Sequence, residues 1–137
     1  MKIYLAADYA RKKEMRGVRD ILVPFGHSIT SRWIDRPLAI QAFGVGGVRI
    51  DISVCGEIAE INASDVEAAD MLLLFTSGEF SRGGRHAEFG MAVAWCKSIC
   101  IVGPREHAFH CFSSIRQYDN WPTFLLYQFR EMFSNES

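Results

Sequence analysis

Short apolar runs alternate along the chain with longer stretches that are apolar on one side only. The clearest run is Met71–Phe75, which is too short for an independent helix and ends at a Thr-Ser-Gly sequence. Such a run indicates a strand that is covered on both faces, as in a parallel sheet. Four further strands are predicted at residues 2–7, 27–31, 98–102 and 115–118.

Four stretches between these runs have the periodicity of amphipathic helices. Three of them cover about residues 9–23, 48–69 and 122–133, and the fourth follows the glycine pair at residues 83–84. The fourth carries one apolar stripe, at Phe89, Ala92, Val93 and Cys96. The second could break near Asn62, where Asn62 or Ser64 could cap a further short helix.

The alternation of strands and helices sets the fold class. Strands that each lead into a helix predict a three-layer α/β architecture, since the helices must cover both faces of the sheet. We therefore expect one domain over residues 1–137, with a Rossmann-like (flavodoxin-like) fold and a mostly parallel sheet of about five strands.

The composition excludes several classes of protein. With 15 basic and 16 acidic residues, the chain lacks the bulk charge that binds a nucleic acid polymer. No stretch could span a bilayer, and the N-terminus does not have the pattern of a secretory signal. The four cysteines lack CxxC spacing, which favours buried free thiols over disulfides or a zinc site. We expect a cytoplasmic protein with no membrane partner, no metal and no cofactor.

The loop and helix after Met71–Phe75 contain the strongest candidate site. Residues 81–85 read Ser-Arg-Gly-Gly-Arg, and paired glycines let the backbone approach a ligand closely. Open α/β sheets bind ligands at the carboxyl ends of their strands, where this loop begins. Glu88 is predicted in the first turn of the next helix, where it could act as a nucleophile or a base. An acid in a first turn also stabilises the helix dipole, so the pattern leaves both interpretations open.

Known catalytic motifs are mostly absent. His86-Ala87-Glu88 matches the HxE half of the zinc deaminase signature, but the PCxxC half is missing. The chain also lacks the GxxxxGK[ST] loop of a phosphate-binding P-loop and the GxSxG turn of a serine hydrolase. What remains is a carboxylate beside an anion-binding loop, which suits attack on the anomeric carbon of a sugar.

Several motifs resemble one enzyme family. They are GGRHAEFG before an alanine-rich helix, the Ala-Asp pair that opens Met71–Phe75, the Ser-Arg-Trp of residues 31–33, and Tyr4 in KIYLAA. This pattern is similar to that of the nucleoside 2-deoxyribosyltransferases and the related deoxynucleoside monophosphate N-glycosidases. The likeness covers residues 2 to about 110, and GGRHAEFG is its most specific part.

The resemblance implies a role for several residues. Glu88 matches the nucleophile that attacks C1′ of a 2′-deoxyribosyl group and expels the base, and Tyr4 matches the tyrosine that positions it. Ala7 and Asp8 match the loop that closes over the sugar. Trp33 could stack on the base or simply pack in the core. The remaining candidates for substrate binding are Arg11, Ser77, Arg82, Gly83, Gly84, Arg85 and His86.

Two positions depart from the family pattern. The aspartate that handles the proton of the leaving base is replaced by Asn62, which can form hydrogen bonds but cannot act as an acid. Asp65 is the nearest carboxylate that could replace it, although it could equally be an acid without a catalytic role. Arg82 stands where the transferases often have an acid. Arg82 and Arg85 could instead hold a 5′-phosphate, which would favour nucleotide hydrolysis.

The resemblance therefore predicts an enzyme that cleaves the N-glycosidic bond of 2′-deoxynucleosides or their 5′-monophosphates. The deoxyribosyl group would pass through a covalent intermediate on Glu88 to water or to another base. Asn62 leaves open a second function, a module that binds nucleotides without cleaving them. We also expect a homo-oligomer, for which the last helix offers an apolar face that could equally cover its own sheet, at Trp121, Phe124, Leu125 and Phe129.

Overall fold

The computed structural model of the chain describes residues 1–36, 52–79 and 83–134, with the side chains of the last helix described through residue 128. Within these ranges, no helix is both long enough and apolar enough to cross a lipid bilayer.

Five parallel strands form one sheet in the order β2-β1-β3-β4-β5. Their bounds are Lys2–Ala6 (β1), Ser28–Ile29 (β2), Met71–Phe75 (β3), Ser98–Val102 (β4) and Arg116–Tyr118 (β5). The prediction of a Rossmann-like α/β fold with about five mostly parallel strands is confirmed.

Four α-helices follow the strands and loops. Their bounds are Lys12–Leu22 (α1), Ile52–Ala68 (α2), Gly84–Ala94 (α3) and Trp121–Ser134 (α4). Single 3₁₀ turns at Tyr9–Arg11 and Val23–Phe25 extend α1 at its two ends, and further 3₁₀ turns lie at Arg32–Asp35 and Ala108–Cys111.

The helices cover both faces of the sheet. On one face, α2 and α3 contact each other and β1, and Tyr4 points into this layer because its hydroxyl bonds Glu88 of α3. Leu72 lies beside Tyr4 in the register of β1 and β3 and so shares that face. Phe75 points to the opposite face, where its ring packs on Trp121 of α4 with centroids 5.7 Å apart. The sheet is therefore the middle of three layers.

Four local expectations were wrong. Asn62 and Ser64 both lie inside α2, which runs unbroken from Ile52 to Ala68. Glu88 is the fifth residue of α3 and therefore lies in its second turn, not its first. The second strand is limited to Ser28–Ile29. Cys96 is exposed just beyond the end of α3, and of the four free thiols only Cys100 is buried.

The apolar face of α4 covers the sheet of its own chain. Phe124 is buried, and Trp121 and Leu125 are partly buried against the core. The side chain of Phe129 lies outside the described residues. This packing accounts for the described part of the face, and the predicted homo-oligomer stays a prediction.

Gly103 allows the ends of β3 and β4 to approach each other. Its φ is +121°, and a Cβ at this position would lie 2.4 Å from the carbonyl oxygen of Thr76. The Thr76 hydroxyl also donates to the carbonyl of Pro104 at 2.6 Å. A side chain at position 103 would therefore separate the strand ends near which the candidate site is built.

We predict that Gly103→Ala destabilises the protein by about 2 kcal/mol or more, because it combines backbone strain with a contact that cannot relax cheaply. Urea unfolding followed by circular dichroism measures the change. Gly17→Ala is the matched control, since Gly17 lies within α1 with open space at its Cβ position. That control should stabilise the protein by about 0.5–1 kcal/mol. Equal effects of the two substitutions would contradict the prediction.

Candidate active site

A short hydrogen bond joins the first strand to the third helix at the centre of the candidate site. The Tyr4 hydroxyl donates to Oε1 of Glu88 at 2.7 Å. Tyr4 is fully buried, whereas Glu88 is partly exposed. One carboxylate oxygen is thus held by the phenol, which orients the side chain, and the hydrogen bonds among the described residues leave Oε2 available.

The environment of Glu88 favours its protonated form more than water would. Burial raises the pKa of this carboxyl from 4.5 to about 7, although the Tyr4 hydrogen bond and the positive charge of Arg36 both act to lower it. Burial and the Glu88 charge in turn raise the pKa of Tyr4 well above its ordinary value. The phenol therefore stays protonated and remains a hydrogen-bond donor, while Glu88 changes charge near neutral pH.

Arg36 and Asn62 form a second polar pair in the site. Nη2 of Arg36 donates to Oδ1 of Asn62 at 3.1 Å. The backbone of Arg36 is anchored at both ends, because its N–H donates to the carbonyl of Trp33 at 3.1 Å and its carbonyl accepts from the Tyr9 hydroxyl at 3.2 Å. Asn62 lies on α2, which packs on both β1 and α3, and its amide oxygen is bonded to a cation.

Asp65 is committed to an ion pair with Arg32. Its buried carboxylate accepts from Nε of Arg32 at 2.9 Å and from the Arg32 backbone N–H at 3.0 Å, and Nη2 of Arg32 lies 2.8 Å away. The Thr30 hydroxyl binds the Asp65 carbonyl at 2.8 Å. These contacts tie β2 and the following turn to α2, and they occupy the oxygens that an acid catalyst would need.

Arg85 is buried between two carboxylates. Only 1% of its side chain is exposed, and it forms ion pairs with Asp8 and, at 2.6 Å, with Glu106. Its Nη2 also donates to the carbonyl of Glu79 at 3.2 Å. This cluster joins the ends of β1, β3 and β4, so Arg85 holds three loops together and has little capacity left for a phosphate.

Other predicted residues are distributed around these clusters. Arg11 is bound to Glu14 at 2.7 Å and lies over the ring of Phe75, and its Nη1 contacts the carbonyl of Thr76 at 3.4 Å. Ser77 is exposed and accepts a hydrogen bond from the Glu79 backbone at 3.3 Å. Neither side chain contacts Tyr4 or Glu88 among the interactions of the described residues.

The remaining candidates divide between core and loop. Trp33 is buried, and its indole N–H donates to the carbonyl of Leu5 at 2.8 Å, which places it in the core. Ala7 is partly exposed after β1. Gly83 adopts a φ of +94° directly before α3, which starts at Gly84. Arg82 lies outside the described residues.

Three imidazoles lie together beside α3. One ring nitrogen each from His86, His107 and His110 lies within 4.8 Å of the others, a spacing near that of a metal site. However, Nδ1 of His107 and Nδ1 of His110 each accept a backbone N–H, from Phe109 at 3.2 Å and Glu106 at 3.0 Å. Their Nε2 atoms therefore carry the protons of the neutral rings and offer no lone pair to a cation. Burial also lowers the pKa of His110 to about 4.

A shallow groove of about 290 Å³ runs along α2, separate from the Tyr4–Glu88 pair. It is lined by Arg32, Glu57, Glu60, Ile61 and Ser64. Because the groove is open and bordered by two glutamates, it lacks the enclosed apolar walls of a typical ligand site.

Three residues that organise the candidate site were not predicted from the sequence: Arg36, Arg32 and Glu106. Arg32 and Glu106 bind charged groups 33 and 21 positions away. Arg36 binds an amide 26 positions away. Each of the three is charged and could therefore be a site residue, but no local pattern in the sequence indicates which partner the fold places beside it.

No family model matches the chain, and no curated protein sequence matches it. Solved structures share its fold, among them two with 17% sequence identity each. One is the CMP N-glycosidase BcmB of Clostridium botulinum, which matches over 93% of this chain and 98% of its own with a TM-score of 0.61. The other is a 2-deoxyribosyltransferase of Bacillus psychrosaccharolyticus, which matches over 96% of each chain with a TM-score of 0.70. This is the fold that the sequence resemblance implied.

We predict that Arg85→Met destabilises the protein by about 3 kcal/mol, because it leaves Asp8 and Glu106 without their buried partner. Guanidinium unfolding measures the loss. Arg19→Met is the matched control, since Arg19 pairs at 2.7 Å with an Asp35 carboxylate that is 60% exposed. That control should lose no more than about 1 kcal/mol. Similar losses in both variants would show that the Arg85 cluster is not a structural centre.

We also predict a signature of Glu88 in the pH dependence of stability. Its folded-state pKa of about 7 lies above the ordinary 4.5, so its protonation stabilises the fold fully below pH 4.5 and this contribution is lost as the pH rises through 7. The loss should reach up to about 3 kcal/mol. Urea unfolding from pH 4 to pH 8 should show this decline in the wild type and not in Glu88→Gln. A decline of the same size in Glu88→Gln would assign it to other groups.

Proposed function

We propose, from the premise that the chain shares the fold of a 2-deoxyribosyltransferase and a CMP N-glycosidase, that it is an enzyme of N-glycosidic bond chemistry. Its substrates would be 2′-deoxynucleosides or their 5′-monophosphates, and its products a free base and a sugar passed to water or to a second base. Tyr4 and Glu88 would be its central catalytic residues. No cofactor is required for this reaction.

The Tyr4–Glu88 hydrogen bond carries this proposal. A carboxylate held at 2.7 Å by a buried phenol has a fixed orientation and a second oxygen that no other described side chain binds, as a nucleophile requires. Its pKa of about 7 keeps a substantial fraction ionised at neutral pH, and the cationic character that develops at the sugar favours the ionised form further.

In the first step, Oε2 of Glu88 would attack C1′ of the sugar. A bond forms between that oxygen and C1′, the bond from C1′ to the base nitrogen breaks, and its electron pair leaves with the base. The carboxylate stabilises the oxocarbenium-like transition state before the covalent bond is complete. Tyr4 keeps Oε1 hydrogen-bonded throughout, so that the nucleophile does not rotate away.

In the second step, water or another base would attack C1′ from the face that the leaving base vacated. The bond to Glu88 breaks and returns a carboxylate to the site. With water as the acceptor, the surplus proton passes to solvent and the free sugar is released. The configuration at C1′ is retained, because each of the two displacements inverts it.

The buried ion pairs bear on phosphate recognition. Arg85 is saturated by Asp8, Glu106 and a backbone carbonyl, so we assign it a positioning function rather than contact with a 5′-phosphate. Arg82 remains the candidate for that contact. Asp8 and Ala7 would border the sugar from the end of β1, with Asp8 held in place by Arg85.

A nucleotide-binding module without catalysis is the second candidate. The observation that favours it is Asn62, whose amide cannot protonate a leaving base and whose oxygen is bonded to Arg36. Such a protein would bind nucleotides with micromolar affinity and release no base, even as the Asn62→Asp variant.

We predict that the wild-type protein releases free base from at least one nucleoside or nucleoside monophosphate, with or without a 2′-hydroxyl. Glu88→Gln should lower the rate at least about 10⁴-fold, because the amide cannot form the covalent intermediate. Chromatography of the products, with and without an acceptor base, measures release and transfer separately. Glu60→Gln is the matched control and should act like the wild type, since Glu60 is exposed on α2.

Two outcomes would overturn this proposal. Unchanged turnover in Glu88→Gln would exclude Glu88 as the nucleophile. Saturable nucleotide binding without base release from any substrate would support the binding module instead.

A further inference from the structure

We propose that Arg36 is a further catalytic residue, which with Asn62 stabilises the departing base by charge and hydrogen bonding instead of by proton donation. The substrate class that follows is the pyrimidine nucleosides and nucleotides. This inference rests on the proposed function and deepens it, because it names the group that acts on the base and the bases on which that group can act.

Arg36 is held in position by contacts at its backbone and at its guanidinium group. Its backbone is fixed by Trp33 and Tyr9, and its guanidinium reaches Asn62 at 3.1 Å. Its positive charge is close enough to lower the pKa of Glu88 and the pKa of Tyr4. Helix α2, which carries Asn62, packs on both β1 and α3, so the cation bonded to Asn62 lies in the same layer as the Tyr4–Glu88 pair.

Arg36 forms no ion pair with any described carboxylate. Within residues 1–36, 52–79 and 83–134, no carboxylate lies within 4.0 Å of its guanidinium. Arg32 and Arg85 differ in this respect, since each is bonded to buried or partly buried carboxylates. An arginine that contacts only a neutral amide oxygen keeps most of its N–H donors and its whole charge for a ligand.

Among the described residues, neither Asn62 nor Asp65 is available to give a proton to the base. The oxygen of Asn62 accepts a hydrogen bond from Arg36, and its NH₂ group can donate hydrogen bonds to a ligand without giving up a proton. Asp65, the alternative acid, is bonded to Arg32 through both carboxylate oxygens. Arg36 and Asn62 together thus present hydrogen-bond donors and a positive charge.

Pyrimidines fit such a site because of the atoms next to their glycosidic bond. The sugar is attached at N1, and the neighbouring C2 carries a carbonyl oxygen. When the C1′–N1 bond breaks, its electron pair goes to the base, and the negative charge spreads from N1 onto that oxygen. Donors fixed at the oxygen stabilise this charge as it develops, as an oxyanion hole does. The base then takes its proton from water after it departs.

Purines lack this feature. Their sugar is attached at N9, which has no neighbouring carbonyl oxygen, and their departure is assisted chiefly by protonation of a ring nitrogen. A site whose described carboxylates are the attacking Glu88 and the ion-paired Asp65 provides that assistance poorly. We therefore expect base release from pyrimidine substrates to exceed release from the matching purine substrates by at least about 100-fold in kcat/KM, the effect of one preorganised donor.

A leaving-group series tests the proposal. The substrates are thymidine, 2′-deoxyuridine and 5-fluoro-2′-deoxyuridine, or their 5′-monophosphates, whose bases become more acidic in that order. Arg36→Gln should lower kcat/KM about 10²–10³-fold for thymidine and clearly less for the fluorinated substrate, because a more acidic base needs less stabilisation. The plot of log kcat/KM against the acidity of the base should thus be steeper for Arg36→Gln than for the wild type.

Two further variants make the result interpretable. Arg36→Lys keeps the charge with fewer donors and should fall between the wild type and Arg36→Gln, which separates an electrostatic effect from misfolding. Arg19→Gln removes a cation from the surface of α1 and should leave the slope unchanged. If Arg36→Gln does not fold, the comparison of Arg36→Lys with the wild type across the series decides the question.

The proposal is overturned if Arg36→Gln and Arg36→Lys lower the rate equally for all three substrates, because a merely structural arginine would act in that way. It is also overturned if purine substrates are cleaved as fast as pyrimidines. In either case, base release that still depends on Glu88 would leave the proposed function standing. Absence of base release from every substrate would overturn both.

Discussion

The hydrogen bond between Tyr4 and Glu88 is the contact on which the rest of the site depends. It joins residues 84 positions apart, and it forms because β1 and β3 are neighbours in the sheet. Tyr4 pairs in register with Leu72, which turns the phenol toward the face that α3 covers. The same packing partly buries the carboxyl, and this burial raises its pKa to about 7. The packing that forms the fold thus also sets the pKa of Glu88.

The arginines around this bond divide into two groups with different consequences. Arg85 and Arg32 are bonded to carboxylates and hold the strand ends and α2 in place. Removing either would leave a carboxylate with little exposure to water, which is why such pairs fix geometry even where their net stabilisation is small. Arg36 contacts a neutral amide, and its positive charge lowers the pKa of Glu88, which is the basis of the catalytic role proposed for it. These arginines therefore differ in whether a carboxylate neutralises their charge, and only the structure shows which partner each one has.

Local signals in the sequence were sufficient for most of the fold. The apolar run Met71–Phe75 and the apolar stripe on α3 indicate directly which residues of each segment are buried. The secondary structure of both segments could therefore be predicted without knowledge of the rest of the chain. The break expected near Asn62 was wrong, because polar residues with modest helix propensity continue a helix when neighbouring elements pack on it. Cys96 was expected to be buried but lies beyond the helix end, where the stripe no longer faces the sheet.

The sequence indicated candidate site residues only where a motif marked them, and their roles stay predictions. GGRHAEFG identified Glu88, and the resemblance added Tyr4, which the structure places within hydrogen-bond distance. Nothing local could show that Arg85 would be buried between Asp8 and Glu106, since ion-pair partners are chosen when loops from different strands meet. Arg36 was missed for the same reason. It lies just after a 3₁₀ turn, where the sequence has no hydrophobic periodicity. Its proposed role depends on the residues that the fold places beside it.

Mass spectrometry of a trapped intermediate tests the central claim most directly. A nucleoside with fluorine at C2′ slows hydrolysis of a glycosyl-enzyme, so acid quenching followed by peptide mapping should find one sugar attached to the peptide that contains Glu88. Unmodified peptide in a sample that has released base, or a sugar attached to another residue, would contradict the account.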